Sequence, residues 1–444
     1  MAVWRNVASM LALFLTAASL SAQTYPLVEK IEAGDCYQYS LDMHLTGDLH
    51  LQHKGKTVTA KLSATATHVF PERIQDADAS CVRKVARVYE TAQAVIVVGD
   101  GRSKRGLRED RCLIVVERPE EQTLTYCPKG ALTREELELT DGHIDTLALT
   151  GLLPGKEVKL GETWPIAPVV VQALCHFDGL HEHNVTGKLV AVKDGKAHLH
   201  ISGKTSGIEL GALVKVTIDS TCVFDLQEKT LLGVTWKQND EREAGPVSPG
   251  SSFELIYEVK RKRIDEPKVL SPIALISVPE GFDPPAILTQ LYFAEEGVPY
   301  RFLYDRGWHI TGNTGEHLVL RYLDRGDFIA QAALVVGPKA AAGEHMSPET
   351  FKRLIAENSG LEIEQELQVG EVPTSEEGRW IYRVSLLGSL EGLKVLQNYY
   401  VLAGSEGHQV MATFTLSQVN VEKVGTKDLV LVGSLELPPY EKSR

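Results

Sequence analysis

The 444-residue chain has little cysteine, and all of it lies in the first half. The last of its six cysteines is Cys222, and no two of them form a Cys-x-x-Cys pair, which argues against a zinc site of that spacing. Gly-x-Ser-x-Gly and His-Glu-x-x-His are also absent. The sequence therefore lacks both the nucleophile elbow of a serine hydrolase and the helix of a zinc peptidase. These absences favour a protein that is not an enzyme and holds no cofactor.

Long apolar runs are also scarce. Residues 7–20 form one such run, and it is shorter than the roughly 17 to 25 residues that a membrane-spanning helix needs. Arg5 precedes the run, and the small residues Ser21 and Ala22 follow it. A positive start, a short apolar segment and a small-residue cleavage site are typical of a secretory signal peptide. We expect residues 1–22 to be removed, leaving an exported protein, periplasmic or extracellular, with no integral membrane segment.

The chain has fewer positively than negatively charged side chains, with 46 Lys and Arg against 59 Asp and Glu. The net charge is -13 and 43% of the residues are hydrophobic, so the composition is that of a globular protein rather than a disordered one. Nucleic acid would repel an acidic protein. The charge therefore favours a protein partner or a hydrophobic small-molecule partner, of unknown identity, over nucleic acid.

Two of the cysteines can be paired by a geometric argument. Residues 112–118 and 121–127 read as two strands around Pro119-Glu120, and a turn at those two residues places Cys112 opposite Cys127. Directly opposed residues of an antiparallel pair lie within disulfide range, and an exported protein folds where disulfides form. The pattern predicts a Cys112–Cys127 disulfide, with two free buried thiols as the alternative. The pairing of the other four cysteines stays open.

Strand patterns dominate the chain. Residues 36–73 alternate around Lys54-Gly55 as a long hairpin, and 183–204, 210–225, 230–241 and 252–263 indicate further antiparallel strands. Helical spacing predicts helices at 81–92 and 164–174, and Thr133 with Glu136 forms a capping-box pattern. The apolar segment 164–174 either covers a cavity or fills a core.

Proline marks the main boundary. Six prolines fall within residues 264–299, a composition typical of linkers. We predict a signal peptide at 1–22, a β-rich domain with disulfides at 23–263, a Pro-rich linker at 264–298 and an α+β domain at 299–437. The predicted fold class is mainly β plus α+β, with few short helices in the first domain and an antiparallel sheet flanked by helices in the second.

The final third of the chain has a characteristic element order and a set of scattered positions, namely Tyr300, Phe302, Gly307, Trp308, Asp327 to Ala330, Met346, Pro348, Gly378, Arg379, Tyr399, Tyr400 and Phe414. In both respects it resembles the PsbP-like fold. The resemblance covers about residues 299–436 and implies an α+β antiparallel-sheet sandwich. Members of that fold serve mostly as binding or assembly modules, so the resemblance implies no catalytic residues.

Three runs of the first domain carry a second resemblance, namely 130–136 (GALTREE), 152–158 (LLPGKEV) and 161–164 (GETW). In these runs the domain resembles uncharacterised exported bacterial β-rich domains. A looser resemblance is to periplasmic lipoprotein carriers, whose sheet holds acyl chains beneath short helices. That resemblance implies that 164–174 is the covering helix.

Three histidines form a weak candidate metal site. His176, His181 and His183 lie close together in the sequence, and alternate residues of a strand share a face. Solvated or capped strand histidines are the alternative, and the sequence favours it. Taken together, the sequence predicts an exported, non-catalytic binding or assembly protein. A carrier of a hydrophobic ligand or lipid in the first domain is one alternative, and a hydrolase of unknown class is another.

Overall fold

We describe a computed structural model of the chain. It describes residues 23–53, 55–78, 81–119, 123–141, 144–374 and 378–437. The predicted signal peptide, 1–22, lies outside these residues.

The first half of the chain is built almost wholly from strands. Its strands are β1 (Thr24–Pro26), β2 (Cys36–His53), β3 (Lys56–Ala77), β4 (Val82–Val88), β5 (Thr91–Val98), β6 (Gly101–Gly106), β7 (Leu113–Glu117), β8 (Leu124–Tyr126), β9 (Glu157–Lys159), β10 (Thr163–Pro165), β11 (Gly179–His183), β12 (Thr186–Lys193), β13 (Lys196–Glu209), β14 (Ala212–Asp225), β15 (Thr230–Arg242) and β16 (Gly250–Ile264). Its α-helices are α1 (Arg134–Asp141) and α2 (Pro168–Leu174), and 3-10 turns span Glu109–Arg111, Thr146–Leu152 and Lys268–Leu270.

Fourteen of these strands form one antiparallel sheet. The strand order is β10-β12-β13-β14-β15-β16-β2-β3-β4-β7-β8, with β11 paired to β13, β5 to β3, and β6 to β5. We call the face that carries Tyr39, Leu41 and Trp236 the inner face. Strict alternation in β14, where every second residue is buried, shows why these residues fold as strands with one buried face. Helices α1 and α2 and the turn Thr146–Leu152 cover the inner face.

The predicted hairpin at 36–73 is confirmed, but the predicted helix at 81–92 is wrong. The latter segment forms β4 and the start of β5. Both faces of β4 are buried, since Val85 packs in the inner core and Ala86 packs against Leu270 and Leu275 on the outer side. A strand buried on both faces loses the alternation that identifies a strand, and its apolar residues then match helical spacing by coincidence.

The segment that follows β16 packs on the outer face. We call residues 268–282 the strap. Lys84, buried on β4, donates hydrogen bonds to the carbonyl oxygens of Pro279 (2.9 Å) and Gly281 (2.5 Å) and pairs with Glu117 at 2.9 Å. Arg83 lies over the Phe282 ring at 4.5 Å. The proline-rich stretch predicted as a linker thus includes a layer fixed to the first half.

The second half combines a sheet with helices. Its elements are α3 (Ala286–Thr289), β17 (Leu291–Phe293), β18 (Phe302–Tyr304), β19 (Trp308–Asn313), β20 (His317–Asp324), β21 (Asp327–Val336), α4 (Pro348–Asn358), β22 (Glu362–Glu371), β23 (Trp380–Leu390), β24 (Leu393–Ala403), β25 (Gln409–Ser417), a 3-10 turn Gln418–Asn420, α5 (Val421–Val424) and α6 (Lys427–Ser434).

Its seven-stranded antiparallel sheet has the order β19-β20-β21-β25-β24-β23-β22. Helix α4 packs on one face, and Ser347 caps it by accepting a hydrogen bond from the Thr350 amide at 3.2 Å. The other face joins the first half in one continuous core. Arg134 of α1 crosses that junction and donates to the carbonyl oxygens of Arg306 (2.5 Å) and Trp308 (2.8 Å). The fold class is the predicted one, mainly β plus α+β with antiparallel sheets and few short helices.

Candidate ligand cavity

A cavity of about 540 Å³ lies between the inner face of the large sheet and its covering helices. Its floor comes from β2, β14, β15 and β16, and its roof from α1 and from the end of α2. The lining includes Met43, Leu45, Arg134, Leu137, Glu138, Asp141, Gln172, Ala173, Cys175, His176, Phe177, Asp178, Glu209, Val214, Gln238, Asp240, Arg242, Phe253, Leu255 and Tyr257. This volume lies within the range of small-molecule sites in proteins.

Strand β15 supplies polar side chains to the floor. Trp236, Gln238, Asp240 and Arg242 alternate along the strand and so point to the same face. Trp236 Nε1 donates to Gln238 Oε1 at 2.6 Å, and Gln238 Nε2 donates to both carboxylate oxygens of Asp240 at 3.0 and 2.8 Å. The buried Gln238 amide therefore fixes the orientation of the Asp240 carboxylate.

A second set of charges lies at the end of β13. Arg242 donates to the Glu209 carboxylate at 3.2 Å and to the Glu209 carbonyl at 2.9 Å. Asp178, just before β11, accepts a hydrogen bond from the Leu210 amide at 2.8 Å. This side of the cavity thus holds three carboxylates and one guanidinium.

Burial perturbs all three carboxyl groups. Desolvation is the largest effect on Asp240 and raises its pKa to about 6 from an ordinary 3.8, against the hydrogen bonds from Gln238. Desolvation also raises the pKa of Glu209 and of Asp178, while the positive charge of Arg242 opposes both shifts. Burial destabilises the ionised form of these carboxylates. A ligand that supplies hydrogen-bond donors or positive charge would stabilise that form.

On the opposite side of the cavity the floor is apolar, whereas the roof there carries Arg134, Glu138 and Asp141 of α1. Met43 and Leu45 of β2 line this floor together with Phe253 and Leu255 of β16. Phe253 pairs with Gly47 in the sheet register, and a Cβ on Gly47 would lie 2.8 Å from Phe253 Cδ1. The missing side chain at Gly47 therefore leaves room for the Phe253 ring. The sheet side of the cavity is therefore amphiphilic, with charge at β13 and β15 and hydrocarbon at β2 and β16.

The apolar segment 164–174 takes both of the roles that the sequence left open. Trp164 and Ile166 are buried in the core, whereas Gln172 and Ala173 line the cavity. Pro168 is the first residue of α2, a position where its missing amide hydrogen has no effect on the helix. The segment thus contributes side chains both to the core, where Val171 and Leu174 are also buried, and to the roof of the cavity.

The three histidines of the weak metal candidate do not converge. His176 follows α2 with φ at +55° and lines the cavity. His181 sits at a bulge of β11, exposed, with Nδ1 3.5 Å from the Ser206 hydroxyl, and His183 pairs with Thr205. Within the described ranges, no group of three or more His, Cys, Asp and Glu side chains could hold a metal ion.

The predicted Cys112–Cys127 disulfide is wrong. Strands β7 and β8 pair Val115 with Tyr126, which displaces the predicted register by two residues because the connection is longer than a two-residue turn. Cys112 precedes β7, where its thiol donates to the Arg108 carbonyl at 3.6 Å, and Cys127 is buried directly after β8. Among the described residues, none of the six cysteines is in a disulfide.

Sequence reasoning missed the polar residues of the cavity. Gln238 and Asp240 lie within the strand that alternation predicts at 230–241, and Arg242 follows its predicted end. The available signal was a change along that strand, because Leu231, Val234 and Trp236 are apolar inward positions and the next three are polar. Glu209 and Asp178 come from distant segments, and no spacing rule joins them to β15.

Comparison with known proteins gives only loose structural likenesses. No family model matches the chain, and no curated protein matches it. The cyanobacterial PsbP protein CyanoP from Synechocystis sp. PCC 6803 is 13% identical, covering 34% of this chain and 93% of that one at a TM-score of 0.25. A Bacteroides thetaiotaomicron protein is 12% identical at a TM-score of 0.25, covering 33% of this chain and 48% of that one. This chain therefore spans about half the length of the Bacteroides protein.

A structure of lipovitellin is 8% identical at a TM-score of 0.32, covering 54% of this chain and 26% of that one. At such scores no functional residue is carried over from any of the three. Among the described residues, no helix is both long enough and apolar enough to cross a membrane. The resemblance to the PsbP-like fold is thus a loose one, over about a third of the chain.

Proposed function

We propose that the protein is an exported, non-catalytic binding protein that holds an amphiphilic small molecule in the cavity of its first half. One observation carries the proposal: a cavity of about 540 Å³ whose sheet side carries charged side chains at one end and apolar side chains at the other. A purely structural core has no need of such a space, because protein interiors are normally close-packed. The second half packs against the cavity's covering helix α1 through Arg134.

The charges indicate the polar end of the ligand. Three carboxylates and one guanidinium line this side, so a head group with a positive charge meets net attraction there. A negatively charged head group meets net repulsion from the same groups. We therefore expect dodecyltrimethylammonium to bind more tightly than dodecanoate, at concentrations below micelle formation.

Native mass spectrometry and titration calorimetry test the proposal. The purified protein should carry an added mass, or take up dodecyltrimethylammonium at one site. Ala173→Trp places a large ring in the cavity and should weaken binding at least tenfold. Val169→Trp is the matched control, because Val169 lies on the same helix and is 48% exposed. Urea unfolding establishes that each variant is folded, and Gln172→Trp replaces Ala173→Trp if the latter is not.

A clean apo mass together with no uptake of either probe contradicts the proposal. Equal effects of Ala173→Trp and Val169→Trp would place binding outside the cavity. A hydrolase is the second candidate, because Asp240 and Glu209 lie in one cavity with raised pKa values. The same spectra test it, since cleavage of a bound ester probe, lost in Asp240→Asn, would support the hydrolase and contradict a non-catalytic role.

A further inference from the structure

The far end of the long hairpin carries an exposed apolar surface, which we call the apron. Three of its side chains are unusually exposed for their type, with Leu51 at 38%, Val58 at 47% and Val98 at 36%. The apron is formed by the inner-face residues of β2, β3 and β5 that project beyond α1, namely Leu49, Leu51, Val58, Leu62, Ile96 and Val98.

The sheet register places these side chains side by side. Leu51 pairs with Val58 between β2 and β3, and Leu62 pairs with Val98 between β3 and β5. Directly opposed side chains in an antiparallel pair contact one another. The other face of β2 and β3 is polar, since Lys61 pairs there with Asp48 at 2.8 Å. The end of the hairpin is therefore amphipathic. Its polar and apolar side chains lie on opposite faces, as they do in a sheet that buries one face.

Helix α1 covers the adjoining part of this face and leaves the apron exposed. Arg105 of β6 pairs with Glu138 of α1 at 2.7 Å, and Arg105 stands opposite Ala94 in the sheet. Ala94 is buried, whereas Val98, four residues further along the same strand, is exposed. The exposed surface thus starts where the covering helix ends.

The apron continues the apolar side of the cavity. One row of the sheet runs from Asp240 through Phe253 and Gly47 to Leu62 and Val98. Asp240 and Phe253 line the cavity, so the row begins at the charged side and ends on the apron. Its four strand spacings of about 4.8 Å each make roughly 19 Å. A hydrocarbon chain that spans one leaflet of a bilayer reaches about 15 Å, which fits within this length.

We propose that the apron is the tail site of the amphiphile, and that the ligand is a single long-chain amphiphile lying across the strands from β15 to β5. This inference rests on the proposed function. The head group lies beside Asp240, Glu209 and Arg242, the first part of the chain crosses Phe253 and Gly47, and the remainder covers Leu62 and Val98. The apron is continuous with the cavity through the row from Asp240 to Val98. This continuity favours a ligand that occupies both over a second copy of the protein, which would cover the apron alone.

A chain-length series tests the tail site. Octyl-, dodecyl- and hexadecyltrimethylammonium are titrated by calorimetry into the full protein below their micelle concentrations. Burial of each added methylene should strengthen binding about fourfold as long as the chain finds apolar surface. Leu62→Glu should abolish the gain from dodecyl to hexadecyl and leave octyl binding unchanged. Ser63→Glu, on the polar face of the same strand, is the matched control and should leave the whole series unchanged.

The outcomes separate this inference from the proposed function. If no chain length binds, the proposed function fails. If all bind but the gain survives in Leu62→Glu, the cavity binds and the apron is not the tail site. Sedimentation velocity tests the alternative that a second copy of the protein covers the apron. A ligand-free dimer that Leu62→Glu converts to a monomer would support that alternative and would overturn the tail site. Val98→Glu replaces Leu62→Glu if urea unfolding shows the latter is not folded.

Discussion

Replacing Asp240 by Asn should stabilise the protein at neutral pH. Asp240 lines the cavity, and burial raises its pKa from 3.8 to about 6. The folded state therefore holds its proton more tightly than the unfolded state does. At about 1.4 kcal/mol for each pKa unit, the ionised carboxylate opposes folding by about 3 kcal/mol once the pH is above both values. Asn is neutral at every pH, so the replacement removes this unfavourable contribution to the free energy of folding.

The replacement also loses one interaction. Gln238 Nε2 donates to both oxygens of Asp240, and Asn offers it a single oxygen. The lost hydrogen bond is worth about 1 kcal/mol. We therefore expect a net gain in the free energy of unfolding of about 2 kcal/mol near pH 8. Near pH 3, where Asp240 is protonated in both states, only the lost hydrogen bond remains, and the variant should be about 1 kcal/mol less stable.

Urea unfolding of wild type and variant from about pH 3 to pH 8 measures the difference. The gain should appear as the pH rises through the range between 3.8 and about 6, because a raised carboxyl pKa favours folding at low pH and this contribution is lost as the pH rises. Subtracting the two curves removes other groups, including His309, whose pKa burial lowers to about 3. Glu241→Gln, on the opposite face of β15, is the control. A difference that does not change with pH, or a variant that is less stable at pH 8, would refute the reasoning.

Three further outcomes test the architecture. Non-reducing peptide mapping should find no bridge between Cys112 and Cys127, and a reductant should leave the unfolding midpoint unchanged. Lys84→Met leaves the buried Glu117 without its ion-pair partner and should lower the free energy of unfolding by about 3 to 5 kcal/mol. The strap should then become a site of protease cleavage. Adding Glu117→Leu should recover much of the lost stability. Arg134→Ala removes two hydrogen bonds across the junction of the halves and should cost about 2 kcal/mol, so retention of full stability would contradict that junction.

Local patterns in the sequence predicted local structure well. The hairpin of β2 and β3 was predicted from alternation around Lys54-Gly55. The capping box at Thr133 is present, since the Glu136 amide donates to the Thr133 hydroxyl at 3.1 Å and the Thr133 amide to the Glu136 carboxylate at 2.9 Å. Ser347 caps α4 in the same local way. Each of these features depends only on residues that are neighbours in the sequence.

Predictions failed where distant contacts decide the outcome. Strand β4 was read as a helix because the strap covers its outer face, and that contact joins residues 195 positions apart. The register of β7 and β8 depends on a connection longer than a two-residue turn. The cavity draws on at least eight separate segments, and alternation shows only that Asp240 faces inward, with no indication of what it faces.

The strap has a consequence for how the chain folds. Lys84 is made early in synthesis, yet its partners Pro279 and Gly281 emerge nearly two hundred residues later. Until then the outer side of β4 and β7, with Ala86 and Leu113, lacks the cover that Leu270 and Leu275 give it. Pairings of such high contact order close slowly, so a nascent chain passes through a stage with an exposed apolar surface on a strand between β3 and β7. Chaperone dependence during synthesis follows from this order of events, and a fragment ending before the strap would keep that vulnerability permanently.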